Sequence, residues 1–442
     1  MLKKAFALAL VCLMVFKLYS CTKAEPSGES SVDKESREEK SMEYSESSQS
    51  NESEPYVNQR EIINFDNIKG IWVSQYDMAE VYVKNGYQRP KTEYISLVKT
   101  IITNIKNLGF NTIIYQIRPF GDSMYDSDYY TPSRFVTGSY DRGFTYDPVE
   151  IFVTQAKAQG LSVQAWINPM RLMTTEEIKL VPEGNVLKKW YNQGQLPEVN
   201  GRLYLDVSRP QARELIVNGA TEALTKYSFD GLHMDDYFYP TSDPAFDKEA
   251  FSQSGYDDLT KYRKDSLNAL VSSLYKAVKE VDERLIFGIS PAGNLKTVVK
   301  TYYADVYEWC SKAGYIDYIM PQVYFGLLHG SCPFVQTVKD WAGIITNGTT
   351  KLYVGMTLGK AVSGSQGNID TYAVTDEGKN EWINNKNVLK QCVEFLKGYD
   401  KAAGYCFFCY QYFYHPVTGV VNQYSQTEVE AFLPVMNDDI QT

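Results

Sequence analysis

Two carboxylates stand side by side in this sequence, Asp235 and Asp236, within the run Phe229-Asp230-Gly231-Leu232-His233-Met234-Asp235-Asp236-Tyr237. Paired acids suit reactions in which one carboxyl group gives up a proton while a second acts as base, nucleophile or stabiliser of developing charge. Two carboxylates held close also push one proton affinity up, as an acid working near neutral pH requires. The residues Gly231–Asp235 read as a short buried strand, and alternate strand residues face opposite sides. One of the two acids therefore faces with His233, and the other reaches the same space only if the strand end bends. Two assignments stay open: a true acid/base pair, or one working Asp beside one that caps a loop or binds an arginine. Asp230 opens the strand and reads as structural.

Other polar and aromatic residues sit at the ends of similar apolar runs. Trp72 lies near the end of one, Tyr115, Gln116 and Arg118 at a second, Trp166 and Asn168 at a third, Asn294 just after a fourth, and Gln322 and Tyr324 at a fifth. Amides and carboxylates bind hydroxyl groups, and rings stack on the C–H face of a sugar, so this mixture suits a polyol substrate. The expected binding set is Tyr115, Gln116, Arg118, Asn168, Asn294, Gln322, Tyr324, Trp72, Trp166 and His233. For several of them packing is the plainer role: His233 as a satisfied residue inside the strand layer, and the two tryptophans as core. Arg118 either pairs with Asp235, Asp236 or an anionic sugar substituent, or holds the loop that follows it. Asp122 and Asp126 lie in a loop and Glu308 in a helical stretch, where acids are usually solvated. With 3 histidines and no His/Glu helix pair, neither a metal nor another cofactor is expected.

These residues need a scaffold that brings strand ends together. From Ile68 onward, short apolar runs alternate with helix-period stretches. The runs are Ile68–Ser74, Asn111–Ile117, Leu161–Ile167, Gly231–Asp235, Leu285–Ser290, Tyr315–Gln322, Leu352–Thr357 and Gly404–Tyr410. Helical stretches are expected at Thr92–Asn107, Pro148–Gln159, Pro210–Tyr227, Tyr256–Val281, Thr297–Lys312, Pro333–Ile345, Glu381–Gly398 and Thr427–Phe432. Such alternation is the signature of βαβ units. Eight strands fit a closed α/β (β/α)8 TIM barrel, and no Gly-x-Gly-x-x-Gly supports a dinucleotide fold. The long connections, 118–147, 168–204, 236–255 and 358–380, all follow strand C-termini. In a barrel those loops build the functional face.

The remaining chain bounds partners and place. A net charge of -10 argues against nucleic acid as a partner, because phosphate binding needs clustered Lys and Arg. Lys3 and Lys4, then the apolar run Ala5–Phe16 and Leu18-Tyr19-Ser20-Cys21, form a signal peptide with a lipobox. Cys21 is thus the expected lipidation site, anchoring the protein to the membrane of a bacterial cell envelope. The Ser/Glu-rich stretch that follows has too few apolar residues to fold and reads as a tether. The expected organisation is 1–20 signal peptide, 21–60 lipidated tether and 61–442 barrel, as a monomer. The odd set Cys310, Cys332, Cys392, Cys406 and Cys409 does not suggest a disulfide framework.

The sequence also resembles the glycosyl hydrolase-like 10 family. The resemblance is carried by Gly70-Ile71-Trp72-Val73, Tyr115-Gln116-Ile117-Arg118-Pro119 with Gly121-Asp122, and Ala165-Trp166-Ile167-Asn168-Pro169. It continues through Leu205-Asp206-Val207-Ser208-Arg209-Pro210, the block Phe229–Pro240, Ile289-Ser290-Pro291 and Asp317–Tyr324. It implies a glycosidase acting on a bacterial cell-wall or related polysaccharide, peptidoglycan glycan strands among them. A more distant similarity to chitinase-like barrels appears in the strand-4 acids and in Met320-x-x-x-Tyr324, but the cluster here ends in Asp rather than Glu. A glycan-binding surface lipoprotein without activity is the rival expectation.

Overall fold

The computed structural model describes residues 60–235 and 238–438. Cys21, the tether and Asp236 therefore lie outside the described residues.

The eight expected strands form. They are β1 (Ile68–Val73), β2 (Thr112–Arg118), β3 (Ser162–Ile167), β4 (Gly231–Met234), β5 (Ile286–Ile289), β6 (Tyr318–Ile319), β7 (Lys351–Leu352, continuing as Val354–Thr357) and β8 (Gly404–Phe408). Every pairing is parallel, each strand lies beside its sequence neighbour, and β1 pairs with β8 through Ile68↔Gly404. β7 is interrupted at Tyr353. Its first part pairs with β6 and its second with β8, so the one strand closes the ring. Gln322 bridges Ala292 and Gly355 beyond the end of β6 and continues the closure.

Two apolar cores result from the strand alternation. Trp72, Ile114, Trp166, Tyr318, Met320, Tyr353 and Cys406 fill the lumen, while the other strand face packs with the helices. Glycine makes room for the large lumen rings. A Cβ on Gly288 would stand 2.0 Å from the Tyr318 ring, and one on Gly355 would stand 3.0 Å from Trp72. Barrel interiors are packed in this way rather than hollow.

The helices largely follow the expected ranges: α2 (Lys91–Asn107), α3 (Pro148–Ala158), α4 (Pro210–Lys226) and α5 (Leu259–Val281). Asp147 and Asp258 cap α3 and α5 by accepting from first-turn amides. Three differences stand out. A helix α1 (Gln75–Tyr82) follows β1 directly, its start fixed by a capping box between Ser74 and Asp77. The stretch expected as one helix over Thr297–Lys312 divides into Leu295–Lys300 and Val306–Ser311, with Tyr303 between them at φ 57°. The stretch Glu381–Gly398 divides into Asp376–Asn384 and Val388–Lys397, and Glu428 accepts hydrogen bonds from the Val388 and Leu389 amides at the second start.

The long loops after the strand ends carry structure of their own. The β3 loop holds a three-stranded antiparallel sheet formed by Arg171–Thr174, Arg202–Tyr204 and Glu198–Val199. The β4 loop is clamped by Arg263 of α5, whose guanidinium grips Asp247 at 2.8 and 2.7 Å and the carbonyls of Thr241 and Asp243. Both charged side chains are fully buried.

Candidate active site

The site grows from the ends of β2, β3 and β4. Gln116 lies on the lumen side of β2, paired with Trp166 on β3. Asn168 follows β3, and Asp235 follows β4 two residues beyond the lumen residue His233. The three side chains are buried and linked. The backbone N–H of Gln75 donates to Gln116 Oε1 at 2.8 Å, Gln116 Nε2 donates to Asn168 Oδ1 at 2.7 Å, and Asn168 Nδ2 donates to Asp235 Oδ2. Each amide uses its oxygen toward β1 and its nitrogen toward β4, so the order of donors along the chain is fixed. The outcome is a carboxyl group held in one rotation by a side chain that is itself held.

Directly beneath lies a second chain. Trp72 Nε1 donates to His233 Nε2 at 3.3 Å, His233 Nδ1 meets Tyr318 Oη at 2.7 Å, and Tyr318 Oη donates to Gln164 Oε1 at 2.5 Å. An indole N–H only donates, so Nε2 of His233 must accept and Nδ1 carries the proton. Burial pushes the His233 pKa down to about 3, which keeps the ring neutral. His233 and Trp72 thus fill the barrel layer under the acid, the plainer of the two roles considered for them.

The other expected binding residues divide into two groups. Trp166 faces the lumen, and its indole N–H is buried with no partner. Gln322 donates to the Ser290 carbonyl at 3.2 Å, and Tyr324 packs at a tilt on Phe408 of β8 with ring centres 6.1 Å apart. These three belong to the lumen or its rim. Asn294 caps the helix Leu295–Lys300 by accepting from Thr297 N–H and donates to Cys332 Sγ. Tyr115 and Arg118 fall outside the mouth altogether. Tyr115 stacks on Phe152 of α3 at 3.9 Å and shares a hydrogen bond with Tyr82, in the layer between barrel and helices. Arg118 donates to Tyr130 Oη at 2.7 Å and lies over that ring. Strict alternation would have turned Arg118 inward with Gln116. The β2–β3 register slips between Gln116 and Arg118, so Arg118 sits opposite Ile167, an outward residue.

The remaining acids are accounted for by their neighbours. Asp230 holds Lys157 and the Ile63 and Val163 amides at the opposite end of the strand. Asp122 is buried and accepts from Phe120 N–H, and Glu308 pairs with Lys312. One acid was not singled out from sequence: Asp77 on α1. It is fully buried, accepts at 2.6 Å from Ser74 N–H, Ser74 Oγ and Gln411 N–H, and so ties the end of β1 to the turn after β8. Burial raises its pKa to about 6 against those hydrogen bonds. The sequence signal was present as Ser74-x-x-Asp77, a capping pattern directly after a strand. Among the described residues no group of three or more His, Cys, Asp or Glu could hold a metal ion.

Residues 67–372 match the sequence profile of the glycosyl hydrolase-like 10 family. The chain is similar to glycosyl hydrolase YngK of Bacillus subtilis (strain 168), 28% identical over 312 residues that cover 65% of this chain and 60% of the relative. It is also similar to glycosyl hydrolase DigH of Escherichia coli (strain K12), 25% identical over 320 residues, 65% of this chain and 72% of the relative. Against YngK, then, this chain spans about three fifths of the relative's length. Among solved structures it resembles the glycoside hydrolase domain of PgaB (BpsB) from Bordetella bronchiseptica, with a TM-score of 0.53 at 13% identity over 83% of this chain and 99% of that one. A β-galactosidase from Rahnella sp. R3 also gives a TM-score of 0.53, at 12% identity over 85% of this chain and 56% of that one. These structural likenesses establish a barrel fold shared with glycoside hydrolases.

Proposed function

The chain belongs to the glycosyl hydrolase-like 10 family, and from that premise we propose that it cleaves glycosidic bonds in a bacterial cell-wall polysaccharide, using carboxylates at the end of β4. The observation that carries the proposal is the hydrogen-bonded chain Gln116–Asn168–Asp235 at the C-terminal mouth of the barrel. Catalytic groups of barrel enzymes stand at that face, and a carboxyl group oriented by an amide of the next strand is preorganised for reaction. Asp235, receiving a hydrogen bond from Asn168, suits the anionic partner, as base, nucleophile or stabiliser of the positive charge developing on the sugar. Asp236 is then the proposed acid that protonates the leaving oxygen. Trp166, Gln322 and Tyr324 are the proposed sugar contacts, in keeping with their place in the lumen or at its rim. Cys21 is the proposed point of lipid attachment, which would tether a monomeric enzyme to the membrane of the cell envelope close to its polymeric substrate.

The test incubates the full chain with peptide-free peptidoglycan glycan strands and reads new reducing ends by mass spectrometry, with Asp235→Asn and Asp236→Asn proteins alongside. Release by the wild type and loss in both variants supports the proposal, and the mass of the new ends gives the bond cut. Retention on the strands with no release by the wild type replaces hydrolysis with glycan binding.

A further inference from the structure

Arg118, for which the sequence leaves open a pairing with the acids or a role in holding its loop, is engaged with Tyr130 of that loop, yet two other arginines stand on the same face of the barrel. Arg171 opens the small sheet of the β3 loop, three residues after Asn168, so by chain length it lies within about 10 Å of the residue that holds Asp235. Arg202 lies on the neighbouring strand of that sheet. Both guanidinium groups pack on one ring, Phe120 in the loop after β2, at 4.6 and 4.7 Å from its centre. Tyr204 is half-buried close by, and Tyr76, in the first turn of α1, is exposed and within electrostatic range of Arg202.

Two like charges gathered on one ring repel each other, and burial adds to the cost. Burial first, and then the charge of Arg171, hold Arg202 below the usual arginine range. Among the described residues Arg202 forms no ion pair; it donates one hydrogen bond, Nη1 to the Leu172 carbonyl at 2.6 Å. The acid that bears on it, Glu177, is engaged elsewhere: its oxygens accept from Arg134 at 2.5 and 3.0 Å and from Thr174 N–H and Oγ at 2.9 Å. A protein with ten more acidic than basic side chains has carboxylates to spare, and none among the described residues forms an ion pair with Arg202. Arg171 also donates from Nε to the Pro119 carbonyl at 3.4 Å. Half-buried guanidinium groups packed over an aromatic ring are restrained, and their N–H groups suit a planar oxyanion.

We propose that Arg202 and Arg171 form a carboxylate-binding subsite beside the β2 and β3 strand ends, which selects glycans bearing an acidic substituent on the sugar. This rests on the glycosidase reading for its catalytic consequence, though the binding it requires is measured separately. An acidic substituent seated there would fix how the sugar chain crosses the mouth of the barrel and which residue of the chain reaches Asp235.

The test uses the full chain with two probes: peptide-free glycan strands that keep their lactyl carboxylates, and the same strands with those carboxyl groups reduced to alcohols. Affinity electrophoresis measures binding to each. The wild type is expected to bind the acidic strands about tenfold more tightly than the reduced ones, and less so as salt rises. Arg202→Gln is expected to remove most of that preference while leaving binding to the reduced strands unchanged. Arg202→Lys should restore part of it, because the charge remains and the fork is lost. Equal binding to both probes, or binding to neither, overturns the subsite. Retained preference in the wild type without any cleavage keeps the subsite and removes the glycosidase reading.

Discussion

Asn168 and Asp235 stand on neighbouring strands of the barrel, and the side-chain amide of the first donates to the carboxyl group of the second. The donor is fixed in its turn, because its own oxygen accepts from Gln116. A carboxyl group at the mouth of a barrel thereby loses its freedom to rotate before any substrate arrives. The relationship separates two effects that mutation can measure, the presence of the acid and its orientation.

Asn168→Leu is the first of these tests. It removes the donor to Asp235 and leaves Gln116 Nε2 without its acceptor. A carboxylate that loses an amide donor is harder to ionise. The acidic limb of the pH–rate profile is therefore expected to move toward higher pH, with glycan cleavage at pH 7 down by about tenfold or more. Asp235→Asn should lower cleavage by a larger factor and leave no acidic limb to follow. Reducing-end assays across pH 4 to 8 check both. An unmoved profile in Asn168→Leu would detach the relay from catalysis.

Arg263 governs the loop that follows the acids. It joins the buried Asp247 to the Thr241 and Asp243 carbonyls. Arg263→Met leaves the Asp247 carboxylate buried and unpaired, at a cost of about 3–5 kcal/mol. Calorimetry should show a lower Tm for the single variant, with partial recovery in Arg263→Met/Asp247→Leu, where no charge is left behind. Cleavage by the single variant should fall further than its loss of folded protein explains, because this loop begins at Asp235.

His233 gives a spectroscopic test of the layer under the acid. With its value pushed down to about 3, the ring should stay neutral from pH 8 to pH 5, protonated on Nδ1 and accepting at Nε2. Nitrogen chemical shifts of labelled histidine read this directly. The linkage sign follows: the folded value lies below the unfolded one, so the unfolded chain takes up the proton first. Stability is then lost as pH falls below about 6.5, at up to about 1.4 kcal/mol per pH unit from this group. A ring that titrates near pH 6.5 in the folded protein would contradict the hydrogen-bond assignment.

Asp77 acts in the opposite direction. Its folded value, about 6, lies above the unfolded 3.8, so its contribution to stability is fully present below pH 3.8 and is lost as pH rises through 6. The difference across that window is about 3 kcal/mol. Asp77→Asn cannot ionise. In urea titrations the variant should gain on the wild type by about that amount between pH 4 and pH 8. A constant gap between the two proteins across the range would show that Asp77 is not titrating within it.

Much of the barrel was legible because its signals are local. Eight apolar runs separated by helix-period stretches give strand number, order and parallel pairing, and the long segments after the strand ends mark the functional face. The resemblance through residues 229–240 directed attention to the strand that carries Asp235. Local pattern leaves some residues open and places others differently from the structure, for identifiable reasons. The sequence leaves Arg118 between pairing with an acid and holding its loop, and a one-residue slip in the β2–β3 register turns it outward onto Tyr130 of that loop. Tyr115 was read as a rim residue because it is aromatic and near a strand end, though an odd position on β2 sends it toward Phe152. Sequence by itself determined the periodicities, the composition and the candidate acids, since each depends on neighbours in the chain. Only the tertiary structure decided that Asn168 meets Asp235 67 residues away, that Asp77 joins the β1 and β8 ends, and that Arg171 and Arg202 share one ring. Those contacts follow from the closure and register of the barrel, where a shift of one residue exchanges every inward side chain for an outward one.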